Sequence, residues 1–214
     1  ITDSLVGSEM CIRDRIEIGS ILRQLQEKKL FNMKSIAVYC SSSNKVDDIY
    51  KEEAKKVGNL LAKKEIRLVY GGGNMGLMGV LSNSAINSGG DVYGVITNHL
   101  IEIEKRNDSL NNIKIVETMH ERKIEMYNNA DAFLIFPGGI GTLEEFFEIY
   151  SWKQLRLHKK PIFIYNFNDF WRDLFTLLEN IIKKDFAGEN MKEAYKVINN
   201  YSDLTKELEI NVEN

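Results

Sequence analysis

Residues 132–145 read AFLIFPGGIGTLEE, and the predicted fold of the whole chain follows from this stretch. The first five residues, 132–136, form an apolar run whose length and aromatic and branched side chains predict a buried β-strand. The run ends at Pro137 and three glycines, and a helical pattern begins at Thr142. Glycines let the backbone turn tightly and bring bare N–H groups close to a ligand. A strand, a glycine-rich turn and a helix N-terminus together predict an anion site suited to phosphate.

The same stretch has a purely structural interpretation. Thr142 and Glu145 have the spacing of a capping box, in which Thr142 is the N-cap and the Glu145 side chain reaches back to the N-cap amide. The glycines would then form a tight turn and nothing more. This stretch alone leaves both interpretations open, because short motifs also occur by chance.

Length and composition limit the class of protein. The chain of 214 residues is long enough for one well-buried domain, and 43% hydrophobic residues with two prolines are typical of a compact globule. The net charge of −3 gives no general attraction to nucleic acid or to an anionic membrane surface. No apolar run approaches the roughly 20 residues of a membrane helix. We therefore expect neither a nucleic acid nor a membrane as a partner.

Cysteine and histidine usage argues against disulfide and metal chemistry. Cys11 and Cys40 are too few for a disulfide framework, which favours a reducing, cytoplasmic location. His99, His120 and His158 are scattered and lack the spacing of metal ligands. We expect no metal site and no cofactor.

We expect residues 1–32 to be a non-native or disordered N-terminal extension. Its first part, ITDSLVGSEMCIRDR, lacks the basic start, apolar centre and cleavage site of a secretory signal, and it resembles the translation of a sequencing adapter. Met33 immediately precedes the first convincing strand. Residues 33–214 are expected to form a single nucleotide-binding, Rossmann-like domain, because no linker or repeat in the sequence marks a second one.

Predicted strands and helices alternate from Ser35 onward. The strands are predicted at 36–40, 66–70, 92–96, 113–116, 132–136 and 161–165, and the helices at 47–64, 77–87, 119–129, 142–157 and 171–184. This alternation predicts an α/β fold with a doubly wound parallel sheet, flanked by helices, that binds ligands at the carboxyl ends of its strands. Residues 97–112 are polar and not periodic, which predicts a functional loop. The last thirty residues show only weak helical patterning.

A second glycine-rich turn follows the predicted strand at 66–70. Gly71, Gly73 and Gly76 match the GxGxxG spacing of dinucleotide sites, but no acidic residue ends the next strand to hold a ribose. Lys and Ser or Thr do not follow Gly76, which excludes a Walker motif. We interpret the turn as a nucleotide or phosphate contact without a redox cofactor, with a purely structural turn as the alternative.

A basic pair, Arg122 and Lys123, opens the predicted helix at 119–129. The pair follows a predicted strand, at the edge where both glycine-rich turns converge, so we interpret it as a contact to phosphate or ribose. The alternatives are a solvated pair and a simple ion pair between Arg122 and Glu125.

Taken together, these motifs resemble the LOG (Lonely Guy) family of cytokinin-activating phosphoribohydrolases, whose members are often labelled lysine decarboxylases. The resemblance rests on GGG at 71–73 with GLMG at 76–79, MHERK at 119–123 and PGGIGTLEE at 137–145, and it covers residues 34–187. It implies hydrolysis of the N-glycosidic bond of a nucleoside 5′-monophosphate. The products would be an N6-substituted adenine, the cytokinin, and ribose 5-phosphate.

The resemblance also implies roles for individual residues. Arg122 and Glu145 match the family's catalytic pair. With the two glycine-rich turns and the polar turn after the first strand included, the expected substrate-binding residues are Ser42, Gly72, Gly73, Glu104, Lys123, Gly138, Gly139, Ile140, Gly141, Thr142, Leu143, Glu144 and Ser151. Glycosidic cleavage passes through an oxocarbenium-like transition state that a nearby carboxylate stabilises, which suits Glu145. We expect Arg122 to hold the phosphoribosyl group and residues 138–142 to bind the 5′-phosphate.

Several alternatives stay open. Ser41 stands where the family commonly has glycine, and Thr97 and Glu102 replace prolines, so plain AMP or another nucleotide is an alternative substrate. A non-catalytic nucleotide or cofactor carrier of the same fold is the main rival, and a dehydrogenase is a more distant one. The resemblance and the large apolar surface of the predicted helix at 142–157 predict a homodimer or a higher homo-oligomer.

Overall fold

Seven strands form one parallel sheet in the computed structural model, which describes residues 33–212. In chain order the elements are β1 (Ser35–Tyr39), α1 (Asp48–Lys63), β2 (Arg67–Tyr70), α2 (Gly76–Asn87), β3 (Val92–Thr97), α3 (Asn98–Leu100), β4 (Ile113–Val116), α4 (Met119–Asn128), β5 (Ala132–Ile135), α5 (Ile140–Gln154), β6 (Ile162–Tyr165), α6 (Arg172–Lys183), β7 (Lys196–Ile198) and α7 (Tyr201–Val212). The predicted doubly wound α/β fold is confirmed. The expected extension at 1–32 lies outside the described residues, so that prediction stays a prediction.

The order of strands in the sheet is β4-β3-β2-β1-β5-β6-β7, so the chain reverses direction across the sheet between β1 and β5. The two strands pair in parallel from Ile36 opposite Ala132 to Tyr39 opposite Ile135. In sheets of this kind, ligands bind beyond the carboxyl ends of the strands at the reversal. The turn at 137–139 follows β5 at this point, and the loop that starts at Cys40 follows β1.

The central strands β1, β5 and β6 are buried along their whole length. Continuous burial requires helices on both faces of the sheet, which explains why these strands read as unbroken apolar runs. Phe133 on β5 and Phe146 on α5 are fully buried in the same core cluster, and Phe146 stacks on Tyr150 with ring centroids 5.2 Å apart. Each such ring contributes about 2–3 kcal/mol by its burial, so α5 is firmly fixed against the sheet.

Two segments differ from the predictions. Residues 97–112, predicted as a loop, contain α3 and a following π-helix at Ile101–Lys105, and the Thr97 side chain caps α3 by accepting from the Leu100 amide at 3.3 Å. The predictions missed β7, which pairs with β6, because KVI is too short to show a strand pattern.

Of the helices at residues 33–212, none has the length and apolar character needed to cross a membrane.

Candidate active site

A cleft of about 290 Å³ opens at the carboxyl edge of the sheet. Its walls come from the loop after β1, from α3 with the π-helix, and from the N-terminal ends of α4 and α5. The expected site residues that line it are Ser42, Glu104, Arg122, Gly139, Ile140, Gly141, Thr142, Glu144 and Glu145. The fold therefore brings both members of the expected catalytic pair to the same wall as the second half of the PGGIG turn.

The N-terminus of α5 is the most open feature of this cleft. The helix begins at Ile140 with Gly139 as its N-cap, and within residues 33–212 no side chain caps it. The capping box with Thr142 as N-cap is therefore wrong, because the helix starts two residues earlier than the pattern indicates. Among the described residues, no backbone carbonyl accepts from the amides of 140–142, whereas the Leu143 amide donates to the Gly139 carbonyl at 3.0 Å. Free amides at the positive end of a helix dipole suit an anion.

Gly138 makes room for a buried side chain. A Cβ atom on Gly138 would lie 2.1 Å from Thr142 Oγ1, and Thr142 is buried. Gly138 itself does not line the cleft but lies in a neighbouring apolar pocket with Tyr50 and Phe170. In this structure Gly138 therefore acts on the cleft through Thr142.

The second glycine-rich turn, at 71–76, is closed by the chain itself. The Gly76 amide donates to the Asn44 side chain at 2.8 Å, and the amides of Leu77 and Met78 donate to the Ser41 carbonyl at 2.9 and 3.3 Å. The N-terminal amides of α2 are thus satisfied by the loop after β1. The geometry gives no support to an anion site at this helix end.

Gly72 and Gly73 face the chain rather than the cleft. The Gly72 carbonyl accepts from the Asn107 amide at 3.0 Å, and Gly73 forms an antiparallel bridge with Arg106. A Cβ atom on Gly73 would lie 3.2 Å from the Cβ atom of Glu104. The structure thus keeps these two glycines out of the cleft lining, although Gly73 packs against Glu104, which lines it. Instead they seat the segment that carries Glu104.

Arg122 is held by backbone carbonyls. Its side chain is buried, with Nε donating to the Val95 carbonyl at 3.0 Å and Nη2 to the Gly71 carbonyl at 3.1 Å. Nη1 lies 3.5 Å from Glu145 Oε1, a long contact at the limit of a hydrogen bond. α4 begins at Met119, so Arg122 lies one helical turn inside it.

The alternative ion pair between Arg122 and Glu125 is not formed. Glu125 accepts from Lys114 Nζ at 2.8 Å and from Tyr93 Oη at 2.7 Å on the outer side of α4. The two side chains, three residues apart, therefore serve different surfaces of the helix.

Glu145 has an unusual electrostatic environment. Burial raises the pKa of its carboxyl to about 7, Arg122 lowers it, and the neighbouring carboxylates Glu144 and Glu104 raise it. A carboxyl group that titrates near neutral pH can take a proton from water or return one. Since such groups cluster in active sites, Glu145 is the strongest catalytic candidate on the cleft wall.

Three other expected site residues lie away from the cleft lining. The ammonium group of Lys123 contacts the carboxylate of Glu144, which lines the cleft, and lies 3.0 Å from Glu148 Oε1, so Lys123 ties α4 to α5. Leu143 packs against the core, and the Ser151 hydroxyl donates to the carbonyl of Glu148 at 2.8 Å. Their predicted substrate contacts stay predictions.

The predictions missed the apolar part of the lining. Met78, Leu100 and Met119 reach the cleft from α2, α3 and α4. They are far apart in the chain and share no spacing. Only the position of two of them inside the GLMG and MHERK motifs could have indicated a role. Across residues 33–212, no three His, Cys, Asp or Glu residues group closely enough to hold a metal ion.

A parallel sheet with an open helix N-terminus and a buried Arg–Glu pair at its reversal point defines a class, the Rossmann-like α/β proteins with a candidate nucleotide site. Within this class, the family model described as "possible lysine decarboxylase" matches residues 78–208. Curated relatives that match most of the chain are cytokinin riboside 5′-monophosphate phosphoribohydrolases. LOG7 of Arabidopsis thaliana is 37% identical over 183 residues, covering 86% of this chain and 84% of that protein. The Rhodococcoides fascians protein is 40% identical over 154 residues, covering 72% and 78%.

The chain therefore belongs to the LOG family of phosphoribohydrolases, and the resemblance drawn from the sequence is confirmed.

Solved structures show a more distant likeness. The molybdenum cofactor carrier protein of Chlamydomonas reinhardtii has a TM-score of 0.63 at 16% identity, covering 84% of this chain and 98% of that one. A molybdenum cofactor binding protein of Rippkaea orientalis has a TM-score of 0.61 at 17% identity, with 82% and 94% covered. At these identities the likeness shows the fold alone.

Proposed function

We propose that this protein hydrolyses the N-glycosidic bond of a cytokinin riboside 5′-monophosphate and releases the free base and ribose 5-phosphate. The observation that carries the proposal is the placement of Arg122 and Glu145, 3.5 Å apart, in one cleft with the open N-terminus of α5. The activity for which the curated relatives are named, cytokinin riboside 5′-monophosphate phosphoribohydrolase, supports the same reaction.

The α5 N-terminus binds the 5′-phosphate. The amides of 140–142 supply hydrogen-bond donors, and the helix dipole adds positive potential. Glu145 lies one turn further along the same helix, so a phosphate held here places the ribose of the same nucleotide near its carboxylate. Arg122, on the facing helix α4, then reaches the ribose hydroxyls with donors that the carbonyls of Gly71 and Val95 do not use.

The chemical step is a displacement by water. The bond from C1′ to the base nitrogen breaks, its electron pair leaves with the base, and the sugar acquires oxocarbenium character that the Glu145 carboxylate stabilises. A water oxygen then bonds to C1′ and loses a proton to Glu145, and Glu145 passes this proton to the departing base, which leaves the carboxylate ionised for the next turnover. The raised pKa of Glu145 suits this role, because its ionised form is a stronger base than an ordinary carboxylate.

The base binds at the other end of the cleft. Met78, Leu100 and Met119 give it apolar walls, and Glu104 supplies an acceptor. Among the described residues, Glu104 Oε2 is buried without a hydrogen-bond partner, which suits a donor on an adenine ring. Plain AMP fills the same contacts apart from the N6 substituent, so it is the second candidate substrate.

A panel of nucleotides tests the proposal. N6-isopentenyl-AMP, AMP and GMP are each incubated with the protein, and free base and ribose 5-phosphate are quantified. We expect turnover of the first, weaker turnover of AMP, and a loss of roughly 10³-fold in kcat for Glu145→Gln. Glu148→Gln, one turn further on α5, is the matched control and keeps most of the activity.

Two outcomes would contradict the proposal. A nucleotide that binds tightly but is recovered intact would favour the alternative function, a non-catalytic nucleotide carrier of the same fold. Turnover that survives in Glu145→Gln would leave the activity in place and remove its mechanism.

We also propose that the protein works as a cytoplasmic homodimer. Leu155 and Leu157, at the C-terminal end of α5, are about two-thirds exposed, which is unusual for leucine. Pairing of this surface across a two-fold axis would bury both. Light scattering on the wild type and on a Leu155→Ser, Leu157→Ser variant tests the dimer, since the variant is expected to be monomeric.

A further inference from the structure

Gly71 leaves the space in which the Arg122 guanidinium lies. A Cβ atom at position 71 would lie 1.9 Å from Arg122 Nη2 and 3.1 Å from Cζ. The φ angle of Gly71 is outside the left-handed region, unlike those of Gly72 and Gly76. The backbone conformation therefore does not require glycine here. The position of the guanidinium does.

Two adjacent strands hold this guanidinium from one side. β2 and β3 are paired with Tyr70 opposite Gly94. Gly71 follows Tyr70 and Val95 follows Gly94, so the two carbonyls that accept from Arg122 lie side by side on neighbouring strands. Nε and Nη2 lie on one edge of the planar guanidinium, so two carbonyls fixed by the sheet define its plane and its position.

The acceptors are neutral, and this matters for the charge. A buried arginine is often held by a carboxylate in a bidentate pair, which compensates the positive charge. Here the carboxylates of the described residues offer Arg122 one contact, the 3.5 Å approach of Nη1 to Glu145 Oε1. Arg122 thus keeps N–H donors available for a ligand, and no short hydrogen bond from Arg122 occupies the carboxylate oxygens of Glu145.

We propose that Gly71 is a positioning residue for the reaction, which anchors Arg122 on backbone carbonyls and so prevents its single long contact with Glu145 from closing into a short bidentate ion pair. The proposal rests on the proposed function for its kinetic consequence, although the anchoring itself can be measured without turnover.

Gly71→Ala is the direct test. The added methyl group displaces the guanidinium from both carbonyls, and the nearest compensating partner is Glu145. We expect kcat to fall by roughly 10²-fold, as a misplacement of about 1 Å does in other sites, with KM changed by less than about threefold. Gly188→Ala is the matched control, because Gly188 is exposed and an added Cβ meets only the end of the Asn190 side chain.

A double-mutant cycle separates positioning from general damage. Lysine at position 122 lacks the Nη2 atom that the methyl group meets, so we expect Gly71→Ala to lower kcat by less than about threefold in an Arg122→Lys background. A loss of 10²-fold in both backgrounds would overturn the proposal. If Gly71→Ala alone does not fold, the double variant is expected to fold, and an unfolded double variant would equally overturn the proposal.

Nuclear magnetic resonance gives the readout that does not depend on activity. The Nε proton of Arg122 is expected to exchange slowly with water in the wild type, since it is buried and bonded to the Val95 carbonyl, and to be lost or shifted in Gly71→Ala. An unchanged resonance in that variant would refute the anchoring. If instead the resonance shifts while the wild type hydrolyses no nucleotide, the anchoring stands and the proposed function fails.

Discussion

Two helices, α2 and α5, begin after glycine-rich turns at the same edge of the sheet, yet their N-termini differ. At α2 the first amides donate to the Ser41 carbonyl and to the Asn44 side chain. At α5 no side chain from the described part of the chain caps the helix, and its first residues line the cleft. A glycine-rich turn before a helix is therefore not enough to define an anion site. What decides is whether the chain's own acceptors already satisfy the amides.

The glycines of the two turns also differ in why the position needs a residue without a side chain. Gly76 has a φ of 57°, and a Cβ atom there would lie 2.5 Å from the carbonyl carbon of Ser42. Apart from the chain neighbours and the backbone of the helix itself, no described residue has a heavy atom within 4 Å of the corresponding position at Gly141, whose φ is not positive. The first glycine is needed for close approach of two backbone segments, whereas the second leaves space on the ligand side.

The largest effect that we expect tests this contrast in stability. Gly76→Ala should lower the free energy of unfolding by about 3 kcal/mol or more, because it combines a left-handed backbone with a clash against backbone atoms. Gly141→Ala should change it by less than about 1 kcal/mol, in the stabilising direction, since alanine is the better helix former. Urea denaturation monitored by circular dichroism measures both. Equal losses in the two variants would remove the distinction between the turns.

Helix α5 also carries a buried carboxyl group, that of Glu145, whose ionisation opposes folding. The pKa of Glu145 is about 7 in the folded chain, above its ordinary value of 4.5, so the folded state binds more protons than the unfolded state between these values. The free energy of unfolding therefore decreases as pH rises from about 4.5 to 7, by up to about 3 kcal/mol.

The second prediction follows from this decrease in the free energy of unfolding with rising pH. Glu145→Gln cannot ionise, so its stability relative to the wild type should increase by up to about 3 kcal/mol between pH 4.5 and pH 8. Paired denaturation curves of wild type and variant at both pH values measure the change. Glu148→Gln, on the same helix, serves as the control. A difference that stays constant with pH would show that Glu145 titrates normally.

Much of this arrangement was accessible from the sequence, and the exceptions have a common cause. Apolar runs predicted six of the seven described strands, and the pattern is clearest in β1, β5 and β6, where burial on both faces leaves every residue buried. Arg122 and Glu145 were predicted as partners and do lie together in the cleft. The first amides of α2, however, donate to Ser41 and Asn44, which lie more than thirty residues before the helix in the chain. No local pattern reports which distant carbonyl will meet a helix N-terminus.

The start of α5 shows the same limit on a smaller scale. The spacing of Thr142 and Glu145 fits a capping box, but the helix begins at Ile140 and Thr142 is buried against Gly138 instead. A helix boundary depends on how the preceding turn packs, and sequence patterns place such boundaries only to within a few residues.

The third prediction adds charge to the open helix end. Gly141→Asp places a carboxylate beside the proposed phosphate site, and we expect KM for N6-isopentenyl-AMP to rise about 10- to 100-fold at low salt, with the effect reduced by added salt. Gly141→Asn has nearly the same shape without the charge and should raise KM by less than about fivefold. Initial rates at 20 and 300 mM NaCl compare the two. If both variants behaved alike, the phosphate would lie elsewhere in the cleft.

The smallest effect is expected at the closed helix end. Met75 is the N-cap of α2 and makes no side-chain cap bond, so a Met75→Asp variant introduces a residue that usually stabilises this position by about 1 kcal/mol. The amides that such a side chain would cap, those of Leu77 and Met78, already donate to the Ser41 carbonyl. We therefore expect a change of less than about 0.5 kcal/mol in the free energy of unfolding, and an unchanged KM. Stabilisation by the full amount of a new cap would mean that the α2 amides are free in solution. The two helix ends would then differ less than the structure indicates.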